Sequence, residues 1–158
     1  MTFFERTCKT LQDNGVEYAV VGGHAVALHG AVRGTVDVDF VVRWTQESLS
    51  LTENALLEIG LVSRLPINAQ DAFNNREYYV NERNLFAWNF YNPKSIFEQV
   101  DIIINYDLRP ETVDKIDTGS LEIAELRLES LIEMKQAVAR PQDLQDIDAL
   151  KRLQGEIE

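Results

Sequence analysis

The sequence predicts an α/β (α+β) protein in which a mixed β-sheet is flanked by helices and a pair of helices closes the chain. Short apolar runs rich in β-branched residues alternate with longer segments whose apolar residues recur at helical spacing. The 158 residues are 45% hydrophobic, enough for one domain with a core. With no repeat or low-complexity linker, residues 1–158 are expected to form a single domain. Its core would span about 1–108, and its C-terminal sheet edge and helices about 109–158.

In the first half of the chain, the period of the apolar residues and the positions of glycines place the elements. The pattern predicts helices at 2–14, 24–29 and 46–59 and strands at 18–21 and 37–43. Gly15 and Gly60 follow two of these helices, as glycines often do at helix C-termini. The Gly22-Gly23 pair separates the first strand from the short helix.

In the second half, aromatic and β-branched residues predict a β-hairpin formed by 77–80 and 85–91 around a turn at 81–84. A further strand is expected at 99–104, and a short edge strand at 121–124. The last two predicted elements are helices at 128–139 and 141–153, the second with Pro141 in its first turn. The segment 66–75 has no clear period and is expected to be a loop.

Charge and cysteine content exclude some classes of function. The formal net charge of −11 argues against a broad nucleic-acid surface, although a local basic patch could still hold one nucleotide or an RNA end. The single Cys8 cannot form an internal disulfide, and no apolar run approaches the ~18 residues of a membrane span. A cytoplasmic protein without a membrane partner is therefore expected.

The main candidate site lies around the second predicted strand. Asp37 and Asp39 are two residues apart, so both side chains point to the same side of a sheet. Two like charges raise each other's pKa unless a cation lies between them, and a hard divalent cation such as Mg²⁺ would explain the pair. Gly22 and Gly23 precede a helix N-terminus, where backbone N–H groups bind phosphate. Metal carboxylates beside a phosphate site indicate nucleotide chemistry.

Asp101 is the third candidate carboxylate. It interrupts an aliphatic strand, where an Asp is costly to bury unless it is paired, protonated or bound to metal. Asp37, Asp39 and Asp101 are therefore the predicted metal ligands. The alternative is that Asp37 and Asp39 are solvated at an exposed strand start, but the apolar residues that follow Asp39 argue against it.

Lys135, Asp143 and Asp146 form a second constellation. On a helical projection Lys135 falls within the apolar arc of its helix, and both Asp residues fall near the apolar side of the last helix. Charges that point inward must be paired or line a polar cleft. Two structural alternatives remain, a Lys135–Asp143 ion pair and a helix-capping role for Asp143.

Three further residues could bind a nucleotide. Arg33 could reach a triphosphate, and Thr35 could hydrogen-bond a carboxylate; the alternative is a solvated turn. His24 could contact phosphate, or only hydrogen-bond the backbone. Two histidines and one cysteine do not support a zinc site, and the P-loop and Rossmann motifs are both absent from the sequence.

At these residues the sequence resembles the nucleotidyltransferase superfamily that includes DNA polymerase beta and kanamycin nucleotidyltransferase. The family pattern is a hydrophobic strand, Gly-Gly or Gly-Ser, an Asp-x-Asp strand, and a single Asp on a neighbouring strand. Gly22-Gly23, Asp37-Val38-Asp39 and Asp101 match it in order. His24 departs from the pattern, because many members have a phosphate-binding Ser there.

Three segments of the sequence are similar to the AbiE-type toxins of bacterial toxin–antitoxin pairs: GGHAVALHG, RGTVDVD and, near the end, LIEMKQAVARPQDLQDI. That subgroup has a Lys on a helix, then an Arg and two Asp residues. Lys135, Arg140, Asp143 and Asp146 occupy these places. The resemblance implies a catalytic role for Lys135. Arg140, Asp143 and Asp146 would support Lys135 without contacting the substrate themselves.

The resemblance implies transfer of a nucleoside monophosphate from an NTP to an acceptor hydroxyl, with two Mg²⁺ ions held by the three Asp residues. Gly22, Gly23 and His24 would bind the β- and γ-phosphates, and Arg33 or Lys135 would offset the charge of the leaving group. The acceptor could be a small molecule, a tRNA end or a protein, and an antitoxin or a second copy could be a partner. The alternative is a catalytically weak or inactive module that serves regulation or partner binding.

Overall fold

The computed structural model of the chain describes residues 1–21, 37–138 and 141–157. Within these ranges the helices are α1 (Phe3–Asp13), α2 (Gln46–Glu58), α3 (Ala69–Asn74), α4 (Arg76–Arg83), α5 (Leu128–Val138) and α6 (Pro141–Ile157). The strands are β1 (Tyr18–Val21), β2 (Val38–Val42), β3 (Val62–Ser63), β4 (Ala87–Asn92), β5 (Ser95–Ile103), β6 (Val113–Asp117) and β7 (Glu122–Leu126). The expected helix at 24–29 lies outside the described residues.

The strands form one mixed sheet in the order β3-β4-β5-β2-β1-β7-β6. β2 is parallel to β5 and β1 is parallel to β7, while the remaining neighbours are antiparallel. The predicted fold class, a mixed sheet flanked by helices with a helical pair at the end of the chain, is confirmed.

One face of the sheet carries the core. Val38 and Phe40 of β2 alternate with Asp39, and the neighbouring Val100 and Ile102 of β5 alternate with Asp101. The four apolar side chains are at most 1% exposed. Because successive side chains of a strand point to opposite faces, this burial turns both Asp residues to the other face.

Of the predicted hairpin, the strand at 85–91 is present as β4, but the strand at 77–80 and the hairpin that would join the two are wrong. Residues 76–83 form α4 instead, and the hairpin joins β4 to β5. β propensity depends on a strand partner, and here tertiary contacts favour the helix. The Nε of Arg76 donates a hydrogen bond of 2.8 Å to the carbonyl of Ile104, and its guanidinium lies over Trp44. Asn84 ends the helix at φ = 50°, a left-handed conformation that Asn tolerates.

Two smaller predictions are also wrong. The expected loop at 66–75 contains α3, which begins with a capping box between Asn68 and Asp71. This Asn-x-x-Asp signal is present in the sequence, but the helix is too short to show a clear period. The expected edge strand at 121–124 is β7, which lies inside the sheet because β6, a strand of mostly charged residues, pairs with its outer side.

None of the helices in the described residues has the length and apolar character that crossing a membrane requires.

Glu125 is an unusual buried acid of β7. Its register partner on the neighbouring parallel strand β1 is Val20 of the core. Glu125 is only 2% exposed. Burial, with a smaller effect from the charge of Asp114, raises the pKa of Glu125 from 4.5 to about 7. An acid with a raised pKa stabilises the fold at low pH and loses that contribution as the pH rises through the folded-state value.

We therefore expect Glu125→Gln to match the wild type in free energy of unfolding at about pH 5 and to exceed it by roughly 2–3 kcal/mol at about pH 8, because only the wild type must then bury a charge. Urea unfolding at both pH values measures this difference. Glu122→Gln changes an exposed acid of the same strand and is the control. An equal pH dependence in both variants would contradict the assignment to Glu125.

Candidate active site

A row of polar side chains crosses the face of the sheet opposite the core. Asp39 of β2 is the register partner of Asp101 of β5, and Asp101 is the register partner of Asn89 of β4. Register partners on neighbouring strands project from the same face and lie side by side. The three side chains are half-buried between the fully buried residues of their strands. The fold thus brings together two of the carboxylates singled out from the sequence.

Asp39 and Asp101 lie side by side on adjacent parallel strands, and each carboxyl group influences the pKa of the other. Burial first, and then the charges of Asp101 and Asp37, raise the pKa of Asp39 to about 7. Burial also raises the pKa of Asp101, against a lowering effect of the hydrogen bond from Asn89. A cation between the two groups would offset the repulsion between their ionised forms. The oxygen donors and the mutual repulsion therefore fit a hard divalent cation such as Mg²⁺.

Asp37 lies just before β2 and is exposed. Its charge raises the pKa of both Asp39 and Asp101, so it belongs to the same electrostatic environment. Among the residues that the structure describes, no three Asp, Glu, His or Cys side chains are already arranged to hold a metal ion. Asp39 and Asp101 are the adjacent pair, and the metal-ligand roles of Asp37, Asp39 and Asp101 all stay predictions.

Asn89 and Arg64 are neighbours of this pair that the sequence analysis missed. The Nδ2 of Asn89 donates a hydrogen bond of 2.8 Å to Oδ1 of Asp101, and the Nε of Arg64 donates one of 2.7 Å to Oδ1 of Asn89. The available signal was an Asn between the aromatic residues Trp88 and Phe90 of the strand AWNFYN. Without the strand pairing, nothing in that pattern pointed to Asp101.

Lys135 of α5 lies between two carboxylates of α6. Its Nζ is 3.0 Å from Oδ2 of Asp146 and 3.6 Å from Oδ1 of Asp143. The three residues are 7%, 6% and 2% exposed, in the order Lys135, Asp146, Asp143. The charge of Lys135 also lowers the pKa of Asp39 against the larger raising effects. The nearer partner is thus Asp146 rather than the anticipated Asp143, and the charge of Lys135 also acts on Asp39.

No protein-family model and no curated protein matches the chain in sequence. Solved structures do match. The lincosamide antibiotic adenylyltransferase LnuA, bound to lincomycin, is 14% identical with a TM-score of 0.59, and the match covers 92% of each chain.

The antibiotic-resistance factor ANT(2'')-Ia is 11% identical with a TM-score of 0.62 over 99% of this chain and 83% of its own. An antigenic nucleotidyltransferase-like protein from Paracoccidioides brasiliensis is 16% identical with a TM-score of 0.60, over 95% of this chain and 74% of its own. The chain has a nucleotidyltransferase fold.

The expected likeness to the nucleotidyltransferase superfamily is thereby confirmed at the level of the fold, while the similarity to AbiE-type toxins stays a prediction. In this fold Asp39 and Asp101 come together on adjacent parallel strands although they are far apart in sequence. Six residues expected at the site lie outside the described part of the chain, and their roles stay predictions: Gly22, Gly23, His24, Arg33, Thr35 and Arg140.

Within this nucleotidyltransferase fold we expect Lys135→Met to cost about 3–5 kcal/mol of unfolding free energy, because it takes the ammonium from two buried carboxylates while it keeps the apolar stem. Urea unfolding measures the loss. The control is Lys9→Met, since Lys9 and Asp13 are also 3.0 Å apart but exposed. That change should cost less than about 1 kcal/mol. Similar losses in both variants would show that Lys135 does not tie α5 to α6.

Proposed function

We propose that the chain is a Mg²⁺-dependent nucleotidyltransferase that moves a nucleoside monophosphate from an NTP to an acceptor hydroxyl. The observation that supports this proposal best is the pair of half-buried carboxylates, Asp39 and Asp101, side by side on parallel strands of this fold. Two adjacent acids with raised pKa values are unfavourable unless a cation binds between them. A divalent cation that also binds an NTP is the simplest ligand for such a pair.

In the proposed reaction, the acceptor oxygen attacks the α-phosphorus of the NTP, and the bond from that phosphorus to the bridging oxygen breaks. Pyrophosphate leaves, and the hydroxyl proton passes to Asp101. Mg²⁺, when bound, supplies charge neutralisation of the triphosphate and a lower pKa for the attacking hydroxyl. Asp37, Asp39 and Asp101 would hold the metal, with two ions expected.

The remaining residues of the proposal bind the triphosphate. Gly22, Gly23 and His24 would donate hydrogen bonds to the β- and γ-phosphates, and Arg33 or Lys135 would offset the charge that develops on the leaving pyrophosphate. Thr35 would hydrogen-bond a site carboxylate. Arg140, Asp143 and Asp146 would orient Lys135; for the two Asp residues, the contacts of 3.6 and 3.0 Å support this role.

Candidates for the acceptor are a small molecule, a tRNA end and a protein. The structural neighbours LnuA and ANT(2'')-Ia, an antibiotic adenylyltransferase and an antibiotic-resistance factor, favour a small molecule. The sequence segments that are similar to AbiE-type toxins support a second proposal, that the chain is a toxin with an antitoxin partner. We further propose that residues 1–158 act as one domain, alone or as a homodimer, and that the free Cys8 thiol reflects a cytoplasmic location.

We expect NTP to raise the melting temperature only when Mg²⁺ is present, because a ligand that binds the folded state stabilises it by about 2.7 kcal/mol at 100 times its Kd. Asp39→Asn should abolish the metal-dependent part and stabilise the metal-free protein by relieving carboxylate repulsion. Differential scanning fluorimetry with each of the four NTPs measures the shift, and pyrophosphate release measures turnover.

Asp13→Asn, on the exposed end of α1, is the control and should leave the shift unchanged. A melting temperature that ignores every NTP with and without Mg²⁺ would contradict the proposal. That result would favour the alternative of a catalytically inactive module for regulation or partner binding, to which His24 in place of the family Ser also points.

A further inference from the structure

A chain of hydrogen bonds runs along the sheet face from Arg64 through Asn89 to Asp101. Asn89 uses both ends of its amide: Oδ1 accepts from Nε of Arg64 at 2.7 Å, and Nδ2 donates to Oδ1 of Asp101 at 2.8 Å. Nδ2 also donates a longer hydrogen bond of 3.3 Å to Oε1 of Gln99. The amide therefore presents a donor, and never its oxygen, to Asp101.

Arg64 fixes that orientation because it is itself held in place. Its backbone N–H donates to the carbonyl of Asn89 at 2.9 Å, and its guanidinium stacks on the ring of Tyr91, 4.2 Å from the ring centroid. A guanidinium has donors and no acceptor. If the amide of Asn89 rotated by half a turn, its NH₂ would face Arg64 and its oxygen would face Asp101, so both hydrogen bonds would be lost.

We infer that Asn89 is a positioning residue for Asp101, and that Arg64 holds the amide of Asn89 in that orientation. The inference rests on the proposed function, because Asp101 is the residue that we propose to bind the metal and to accept the proton of the acceptor hydroxyl. Asn89 occupies Oδ1 of Asp101 and thereby sets the rotation of the carboxyl group. Oδ2 is left for a cation shared with Asp39. Residues that orient a metal ligand in this way typically change metal affinity or activity by about 10–100-fold when they are replaced.

The competing explanation is that Asn89 only ties β4 to β5. The same hairpin offers a matched control, since Nδ2 of Asn92 donates a hydrogen bond of the same length, 2.8 Å, to Oε1 of Glu98. Both pairs join an amide of β4 to a carboxylate of β5, and only the Asn89 pair reaches the candidate site. A structural tie would affect both variants alike, whereas a positioning role would affect one.

The test is a titration with Mn²⁺, followed by the electron paramagnetic resonance signal of the free ion, on the wild type and on Asn89→Ala, Asn92→Ala, Arg64→Ala and Asp39→Asn. We expect Asn89→Ala to weaken Mn²⁺ binding by about 10–100-fold and Asn92→Ala to change it by less than about twofold. Urea midpoints of the two asparagine variants should be alike. In turnover assays, Asn89→Ala should lower kcat with little change in the KM for NTP, because Asp101 does not contact the triphosphate in the proposed reaction.

Arg64→Ala releases the orientation of the Asn89 amide and also removes a positive charge that lowers the pKa of Asp101. Its effect on Mn²⁺ binding combines both contributions, so the comparison of Asn89→Ala with Asn92→Ala decides the inference. Equal Mn²⁺ affinity in the wild type and Asn89→Ala, with binding abolished in Asp39→Asn, would overturn this inference and leave the proposed function standing. A wild type that binds no Mn²⁺ would overturn both.

Discussion

The parallel register between β2 and β5 is the constraint on which the candidate site depends. It sets Asp39 directly beside Asp101, two acids that are far apart along the chain. A slip of one residue would turn Asp101 toward the core and bring Ile102 or Val100 to the polar face. The chemistry proposed for this chain is therefore only as well defined as the pairing of these two strands.

The core on the other face enforces that pairing. Phe40 and Ile102 are register partners and are fully buried, and Trp88 pairs with Ile102 from β4. Because side chains alternate along each strand, the burial of these three fixes where Asp39, Asp101 and Asn89 must point. The apolar face thus supports the polar face geometrically, although none of its side chains takes part in the proposed chemistry.

Electrostatics distinguish the two groups of buried charge. Lys135 lies between Asp143 and Asp146, so its single positive charge partly offsets the two carboxylates of α6. Asp39 and Asp101 carry like charges, and the raised pKa of each shows that their ionised forms are poorly compensated. A structural ion pair has its counter-charge within the protein, whereas a ligand site leaves part of the compensation to its ligand. This contrast supports the proposed cation site at the carboxylate pair, whereas the nearest counter-charges of Lys135 lie in α6.

By itself the sequence determined the elements that follow from local periodicity: α1, α2, β1, β2, the core of β5 and the two closing helices. It also identified Asp39 and Asp101, because an acid in an aliphatic strand is costly wherever that strand packs. Only the tertiary structure decided that 76–83 form a helix, that β7 is internal, that Asn89 meets Asp101, and that Lys135 lies nearer Asp146 than Asp143. The reason is that helix and strand periods depend on neighbours in sequence, whereas strand partners and ion pairs depend on residues that only folding brings together.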